Sequence, residues 1–275
     1  MTIPFCKYHG TGNDFILLDQ REVDHIELDQ HELIRFICDR RFGIGGDGLI
    51  ILKNHRDYHF EMIYYNSDGH QSSMCGNGGR CIVAFAKKIG IIEDEYSFIA
   101  IDGPHKAKIS ADEIVSLEMI NVPEIKKGEE HFELNTGSPH YVTFVEDVDD
   151  INVIENGQAI RYSKPFREEG INVNFVEKRK DKIVVLTYER GVEGETFSCG
   201  TGVTAAAIAS RAEGDSEKNN VDIQTRGGML NVRFEKSNKG FQNIWLSGHA
   251  TLVFEGDFQT ASQSFFPDLA TRITS

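Results

Sequence analysis

Two cysteines in matching frames are the residues of this chain best suited to chemistry. Ser73-Met-Cys75-Gly-Asn-Gly-Gly-Arg80 and Phe197-Ser-Cys199-Gly-Thr-Gly-Val-Thr204 both read Cys-Gly-x-Gly, 124 residues apart. Glycines after a cysteine let the backbone turn tightly, and each motif runs into an apolar stretch of helical character. A helix that starts there presents unpaired N–H groups and the positive end of its dipole, both of which favour negative charge. The expectation is a thiol whose pKa falls from about 8.5 into the physiological range, beside N–H groups able to hold a carboxylate. Two such thiols on opposite faces of one carbon suit the inversion of a stereocentre. One sulfur removes the proton, the other returns one from the far side, and the two exchange roles. Acyl transfer would instead want one cysteine activated by a histidine, and the sequence shows no such relation.

The elements that position these cysteines follow from a wider repeat. Thr11-Gly12-Asn13 is echoed 125 residues later by Thr136-Gly137-Ser138, and Asn66 and Arg190 each lie nine residues before a motif cysteine. Separations near half the chain length indicate two copies of one unit. The proposed division is an N-terminal lobe over 1–122, a C-terminal lobe over 123–262, and a tail over 263–275 with no assigned role. Strand patterns fall at Phe15–Asp19, Gly48–Lys53, His59–Tyr65, His140–Val145, Val173–Glu177, Ile183–Tyr188, Met229–Phe234 and Asn243–Val253. Helical patterns fall at Gln30–Arg40, Gly79–Ile89 and Val203–Arg211. The last two lack a wide polar face and read as buried. Strands around one buried helix in each lobe make an α+β fold, not an alternating one.

Around the cysteines, Asn13, Asn77 and Asn172 offer neutral donors and acceptors, Glu189 a partner for an ammonium, and Arg190 a bidentate clamp for a carboxylate. Neighbours on a strand point to opposite faces, so Glu189 and Arg190 serve one site only if the strand ends there, which Gly191 permits. His140, near the second Thr-Gly motif, is a further site-lining expectation; Cys38 and Cys81, in apolar helical stretches, read as packing residues. Gly43-Ile-Gly-Gly-Asp-Gly48 matches a dinucleotide fingerprint in letters only, because a helix precedes it and a strand follows, the reverse of what that motif needs. It reads as a turn, with Gly48 lining the site. Cys6-x-x-His9 lacks the partner ligands zinc requires, so no metal is expected. With 29 basic and 43 acidic residues the chain carries a charge of −14, which argues against nucleic acid and anionic membranes as partners. It has no apolar run long enough to span a bilayer and an odd five cysteines, and it reads as cytosolic.

In its motifs the chain resembles the diaminopimelate epimerase family of pyridoxal-phosphate-independent epimerases. The resemblance runs from Phe5 to about Glu255. It is carried by His9-Gly-Thr-Gly-Asn-Asp-Phe15, Arg41-Phe-Gly-Ile-Gly-Gly-Asp-Gly48, Asn66-Ser-Asp-Gly69, Met74-Cys-Gly-Asn-Gly-Gly-Arg80, Asn172-Val-Asn-Phe175, Glu189-Arg-Gly-Val-Glu-Gly-Glu-Thr196 and Cys199-Gly-Thr-Gly202. It implies a β-barrel-like sheet around the central helix of each lobe, a site in the cleft between lobes, and a homodimer. It further implies epimerisation of LL- to meso-2,6-diaminopimelate without cofactor, in lysine and peptidoglycan-precursor synthesis, with Cys75 and Cys199 as the acid–base pair. Gly76-Asn77 and Gly200-Thr201 would bind the carboxylate at the reacting centre. Asn13, Asn66, Asn172, Glu189 and Arg190 would bind the rest of the amino acid. Ser138 stands where many members have a ligand-contacting asparagine, and Gly48 where some have glutamine. The alternatives are a proline or hydroxyproline racemase, whose family typically has histidine at the position of Asn77, and a non-catalytic amino-acid-binding protein.

Overall fold

The computed structural model describes residues 2–214 and 218–259; the tail at 263–275 lies outside the described residues. Among the described residues, four α-helices interrupt a strand-dominated chain: α1 (His31–Cys38), α2 (Gly76–Lys88), α3 (Val153–Arg161) and α4 (Gly200–Ala212). The duplication is visible in the order of strand pairing. Asn13–Asp19, Gly48–Lys53, Phe60–Asn66, Tyr96–Ala100, Gly103–Ile109 and Ile114–Met119 join in turn by parallel, antiparallel, parallel, antiparallel and antiparallel ladders. Pro139–Val145, Asn172–Lys178, Ile183–Glu189, Asn220–Thr225, Gly228–Ser237 and Gly240–His249 repeat that order step for step. The last strands of the two series, Ile114–Met119 and Gly240–His249, pair with each other and join the lobes.

Each sheet curls around one helix. Cys81, Ile82, Val83, Phe85 and Ala86 of α2 meet Phe15, Leu17, Ile50, Leu52, Met62 and Leu117 in one core. Val203, Ala205 to Ala209 and the strands from Phe132 to Leu246 form the other. The alanines of α4 keep its circumference small, which lets strands approach on several sides. The opposite faces of the same strands are buried too. Ile16, Leu18, Leu49 and Ile51 pack under α1, and Val173, Phe175, Val184, Leu186 and Tyr188 form a matching cluster with Val153 of α3. Burial on both faces is why Gly48-Leu-Ile-Ile-Leu-Lys53 reads as a continuous apolar run. The mixed architecture expected from the sequence is the one observed.

Some elements differ from the sequence reading. The stretch Asn243–Val253 is two strands, Gly240–His249 and Thr251–Gln259. The first belongs to the joint between lobes, while the second crosses to pair with Thr2–Gly10, and Phe258 packs on the N-terminal core beneath α1. The helix α3 carries Gly157 at its middle, which disguises it in sequence. A Cβ at Gly157 would lie 2.5 Å from the Tyr188 side chain, so close packing on the sheet demands the glycine.

Candidate active site

The helices α2 and α4 begin against each other. A Cβ built on Gly76 would lie 3.4 Å from Gly200 Cα, one on Gly200 would lie 3.3 Å from Gly76 Cα, and both would press on Leu246 Cδ2. A side chain at either position would make those neighbours give by a few tenths of an ångström. Cys75 and Cys199, the residues before the glycines, stand at the N-cap positions of the two helices. Cys75 Sγ accepts a hydrogen bond from Gly78 N at 3.2 Å. Cys199 Sγ lies 3.4 Å from the Thr201 hydroxyl. Cys75 is half-buried and Cys199 only 8% exposed.

The repeat extends to the residues that brace each motif. Thr11 Oγ1 reaches Asn77 Oδ1 at 3.4 Å in one lobe, and Thr136 Oγ1 donates to Thr201 O at 2.8 Å in the other. Each threonine therefore rests on the second residue after its lobe's cysteine. Asn77 also ties the lobes together: its Nδ2 donates to Asn13 Oδ1 at 2.5 Å and to Ser198 O, next to Cys199, at 3.0 Å. Asn13 Nδ2 is held in turn by Asp47 at 2.9 Å. Gly48 is buried and faces Asn66 across the ladder, and a Cβ there would lie 2.4 Å from Tyr65 O. Its place is set by packing.

A second group gathers at the end of the strand Ile183–Glu189. That strand stops at Glu189 and Gly191 takes φ +92°, so the chain turns where the sequence required it to. Asn172 Oδ1 accepts from Arg190 N at 2.9 Å, while Asn172 Nδ2 donates to Ser138 Oγ at 2.8 Å. The Arg190 guanidinium bonds Glu169 O at 2.9 Å and reaches Ser138 Oγ at 3.4 Å, leaving the side chain exposed. Glu189 acts electrostatically on both Cys75 and Cys199, which sets its charge beside the thiol pair. His140 is fully buried; its Nδ1 accepts from Asn174 Nδ2 at 3.1 Å, and Asn174 Oδ1 would touch a Cβ on Gly202. Burial and the Arg190 charge push the imidazole down to about 3, so His140 stays neutral at physiological pH.

The electrostatics correct one sequence expectation. Burial pushes the Cys75 thiol up to about 11 and Cys199 up to about 12. The N–H groups of Gly78 and Asn77 at Cys75, and the Thr201 hydroxyl with Gly202 N–H at Cys199, pull the other way, but desolvation wins. The carboxyl of Glu189 is likewise raised, by burial and by Asp47. Cys6 and Cys38, buried elsewhere, rise to about 11 and about 12. A folded chain that holds these protons more tightly than the unfolded chain has that stabilisation in full below the reference value of 9.0 and loses it as pH rises through 11 to 12. The melting temperature in reductant is therefore expected to drop steeply between pH 9 and 11; a level profile over that range would mean the thiols titrate normally.

Sequence reasoning did not single out Asp47, the Ser198 carbonyl or Arg80. The first two act through local contacts with no motif of their own. Arg80 did leave a signal, being a guanidinium in a helix otherwise buried among apolar side chains. Among the described residues no group of three or more His, Cys, Asp or Glu is arranged to hold a metal ion, and no helix is long and apolar enough to cross a membrane.

Comparison with known proteins bears on the fold and the family. Solved structures of similar fold include a phenazine biosynthesis protein of the PhzF family from Bacillus anthracis. It has a TM-score of 0.74 and 12% identity, over 94% of this chain and 100% of that one. A hydroxyproline epimerase from Agrobacterium vitis, at a TM-score of 0.63 and 15% identity, covers 93% of this chain and 92% of its own. At those identities the likeness concerns the fold. Sequence relatives are closer. The diaminopimelate epimerase of Flavobacterium psychrophilum is 51% identical over 250 residues, 90% of this chain and 97% of the relative. That of Aquifex aeolicus is 40% identical over 272 residues, 92% of this chain and 96% of the relative. The sequence profile of the diaminopimelate epimerases matches residues 5–122 and 132–253, and the chain belongs to that family.

Proposed function

We propose that this chain is an isomerase that epimerises LL-2,6-diaminopimelate to meso-2,6-diaminopimelate with two cysteines as acid and base, using side chains and no cofactor. The observation that carries the reading is the abutment of two cysteine-capped helix N-termini, one from each copy of a duplicated unit. The substrate α-carbon lies between the two sulfurs, and its carboxylate lies against the N–H groups of Gly76-Asn77 and Gly200-Thr201. One thiolate removes the α-proton and the C–H electrons pass into the carboxylate, whose added charge those N–H groups stabilise. The opposite thiol then protonates the carbon from the other face. The enzyme is left with thiol and thiolate exchanged.

The raised thiol values make each sulfur a stronger base once ionised. They also leave the empty site almost wholly thiol at neutral pH, so substrate binding has to supply the thiolate. An incoming α-ammonium favours the thiolate by direct attraction. In this reading Glu189 takes that ammonium, while Asn13, Asn66, Asn172 and Arg190 orient the distal end, with Ser138 at its edge. The lobe division at 1–122 and 123–262 belongs to the same reading, amended by the strand Thr251–Gln259, which completes the N-terminal sheet. Acid–base thiols require a reducing compartment, which supports the cytosol. A homodimer is also proposed, supported by exposed Leu252, Val253 and Phe254 on that strand.

The test is incubation in heavy water with LL-diaminopimelate, proline and hydroxyproline side by side. Diaminopimelate is expected to acquire deuterium at the α-carbon and to interconvert, with the cyclic amino acids left unchanged. Turnover of proline with none of diaminopimelate would reverse the assignment. Thermal stabilisation by diaminopimelate with no deuterium incorporated would leave a binding protein.

A further inference from the structure

The two lobes share Cys-Gly-x-Gly and also a contact made by the fifth residue after each cysteine. In the C-terminal lobe this is Thr204, whose hydroxyl donates to Gly200 O at 2.9 Å. In the N-terminal lobe it is Arg80, whose NH1 makes the equivalent bond to Gly76 O at 3.2 Å. A neutral hydroxyl on one side is thus replaced by a cation on the other. The guanidinium is 0% exposed and is the largest fully buried side chain described. It has no carboxylate partner among the described residues, and the groups whose ionised form would favour its charge are the thiols of Cys81 and Cys75. Its NH2 donates to Thr11 Oγ1 at 3.0 Å and Asn77 Oδ1 at 2.9 Å, and its Nε has no partner.

Such an arrangement is costly. A buried charge without a counter-ion is normally removed or paired. Here two glycines keep the slot open: a Cβ on Gly10 would lie 3.2 Å from the guanidinium, and one on Gly248 would lie 3.3 Å from its Nε. What the cation gains from the protein alone is a set of neutral acceptors. The anions within its reach are those formed in catalysis.

We propose that Arg80 is a positioning residue that makes the two lobes unequal: its guanidinium clamps Asn77 and Gly76, and it draws the single negative charge of the thiol pair toward Cys75. The proposal rests on the two-thiol reading above. Arg80 fixes the orientation of the Asn77 amide, because the oxygen faces the guanidinium while the nitrogen faces Asn13 and Ser198 O. One side chain therefore couples the Cys75 helix to the backbone before Cys199. Glu189 raises both thiols, and the Arg80 charge opposes that rise at Cys75 alone.

The experiment uses the full chain with Arg80→Thr, which copies the other lobe, and Arg80→Lys, which keeps the charge without the fork. Alkylation of each cysteine by iodoacetamide is followed by peptide mass spectrometry from about pH 7 to 10, a range in which thiolate fraction governs the rate. In Arg80→Thr the Cys75 profile is expected to move to higher pH while that of Cys199 stays in place. The kcat for diaminopimelate is expected to fall about 100-fold, as for a catalytic group displaced by about 1 Å, with a much smaller change in KM. Arg80→Lys should restore the Cys75 profile and only part of kcat. An unmoved Cys75 profile in folded Arg80→Thr, or equal shifts at both cysteines, overturns the proposal. So does failure of both variants to fold, which would make Arg80 a structural strut. Alkylation needs no substrate: a Cys75-specific shift in an enzyme inert to diaminopimelate would refute the function and keep the charge bias.

Discussion

Alanine at Cys75 or at Cys199 is expected to lower kcat for epimerisation by about 10⁴-fold, the upper end for loss of a general acid or base. The double variant is expected to be no worse than either single one. Inversion needs a proton taken from one face and a proton given to the other, so removing either sulfur breaks the same cycle, and effects within such a unit do not add. Folding is not the cause in this case. Losing the Cys75 cap on Gly78 N costs about 1 kcal/mol, well inside the stability of an ordinary domain. The sharper reading comes from isotope exchange. With Cys199 gone, Cys75 can still remove the α-proton on its own face and return deuterium there, so one stereoisomer exchanges without inverting. With Cys75 gone, the other stereoisomer does so. Mirror-image exchange of this kind would place one sulfur on each face, and epimerisation within tenfold of the parent in either variant would sink the two-thiol mechanism.

The cysteine pair was legible because duplication wrote it twice. Chemistry that depends on two equivalent groups leaves an internal repeat, and the glycines after Cys75 and Cys199 stand where the two helix starts meet closely. The strand Gly48–Lys53 was legible in both its limits because a required glycine begins it and both its faces are buried. Thr2–Gly10 carries a proline and a lysine among its apolar residues and gains its place by pairing with both Asn13–Asp19 and Thr251–Gln259. Distant pairing of that kind has no local signature. The direction of the thiol shifts was misread for a similar reason. A helix N-terminus can be seen in sequence, whereas the desolvation that outweighs it arises only when two lobes close on the same sulfurs. Arg80 shows the limit from the other side, since its type was visible but its want of a carboxylate partner was not.

Glu189→Gln should move catalysis and thiol reactivity in opposite directions. The carboxylate of Glu189 adds to the rise of both thiols. Neutralising it removes like-charge repulsion from each thiolate, so both cysteines should ionise at lower pH and alkylate faster at any fixed pH below their own values. Catalysis should nevertheless fall. If Glu189 holds the substrate ammonium, the glutamine forfeits a hydrogen bond between charged groups, worth about 1.5–3 kcal/mol, or about 10- to 100-fold in kcat/KM. A variant that merely loosened the site would also expose the sulfurs, but it would lower the melting temperature and would speed Cys81, which is buried in the core beside the site, as well. The expected pattern is faster labelling confined to Cys75 and Cys199, an unchanged melt, and lower kcat/KM. Slower labelling of the pair would mean that the Glu189 charge does not reach the sulfurs. Unchanged kcat/KM would assign the ammonium to another residue.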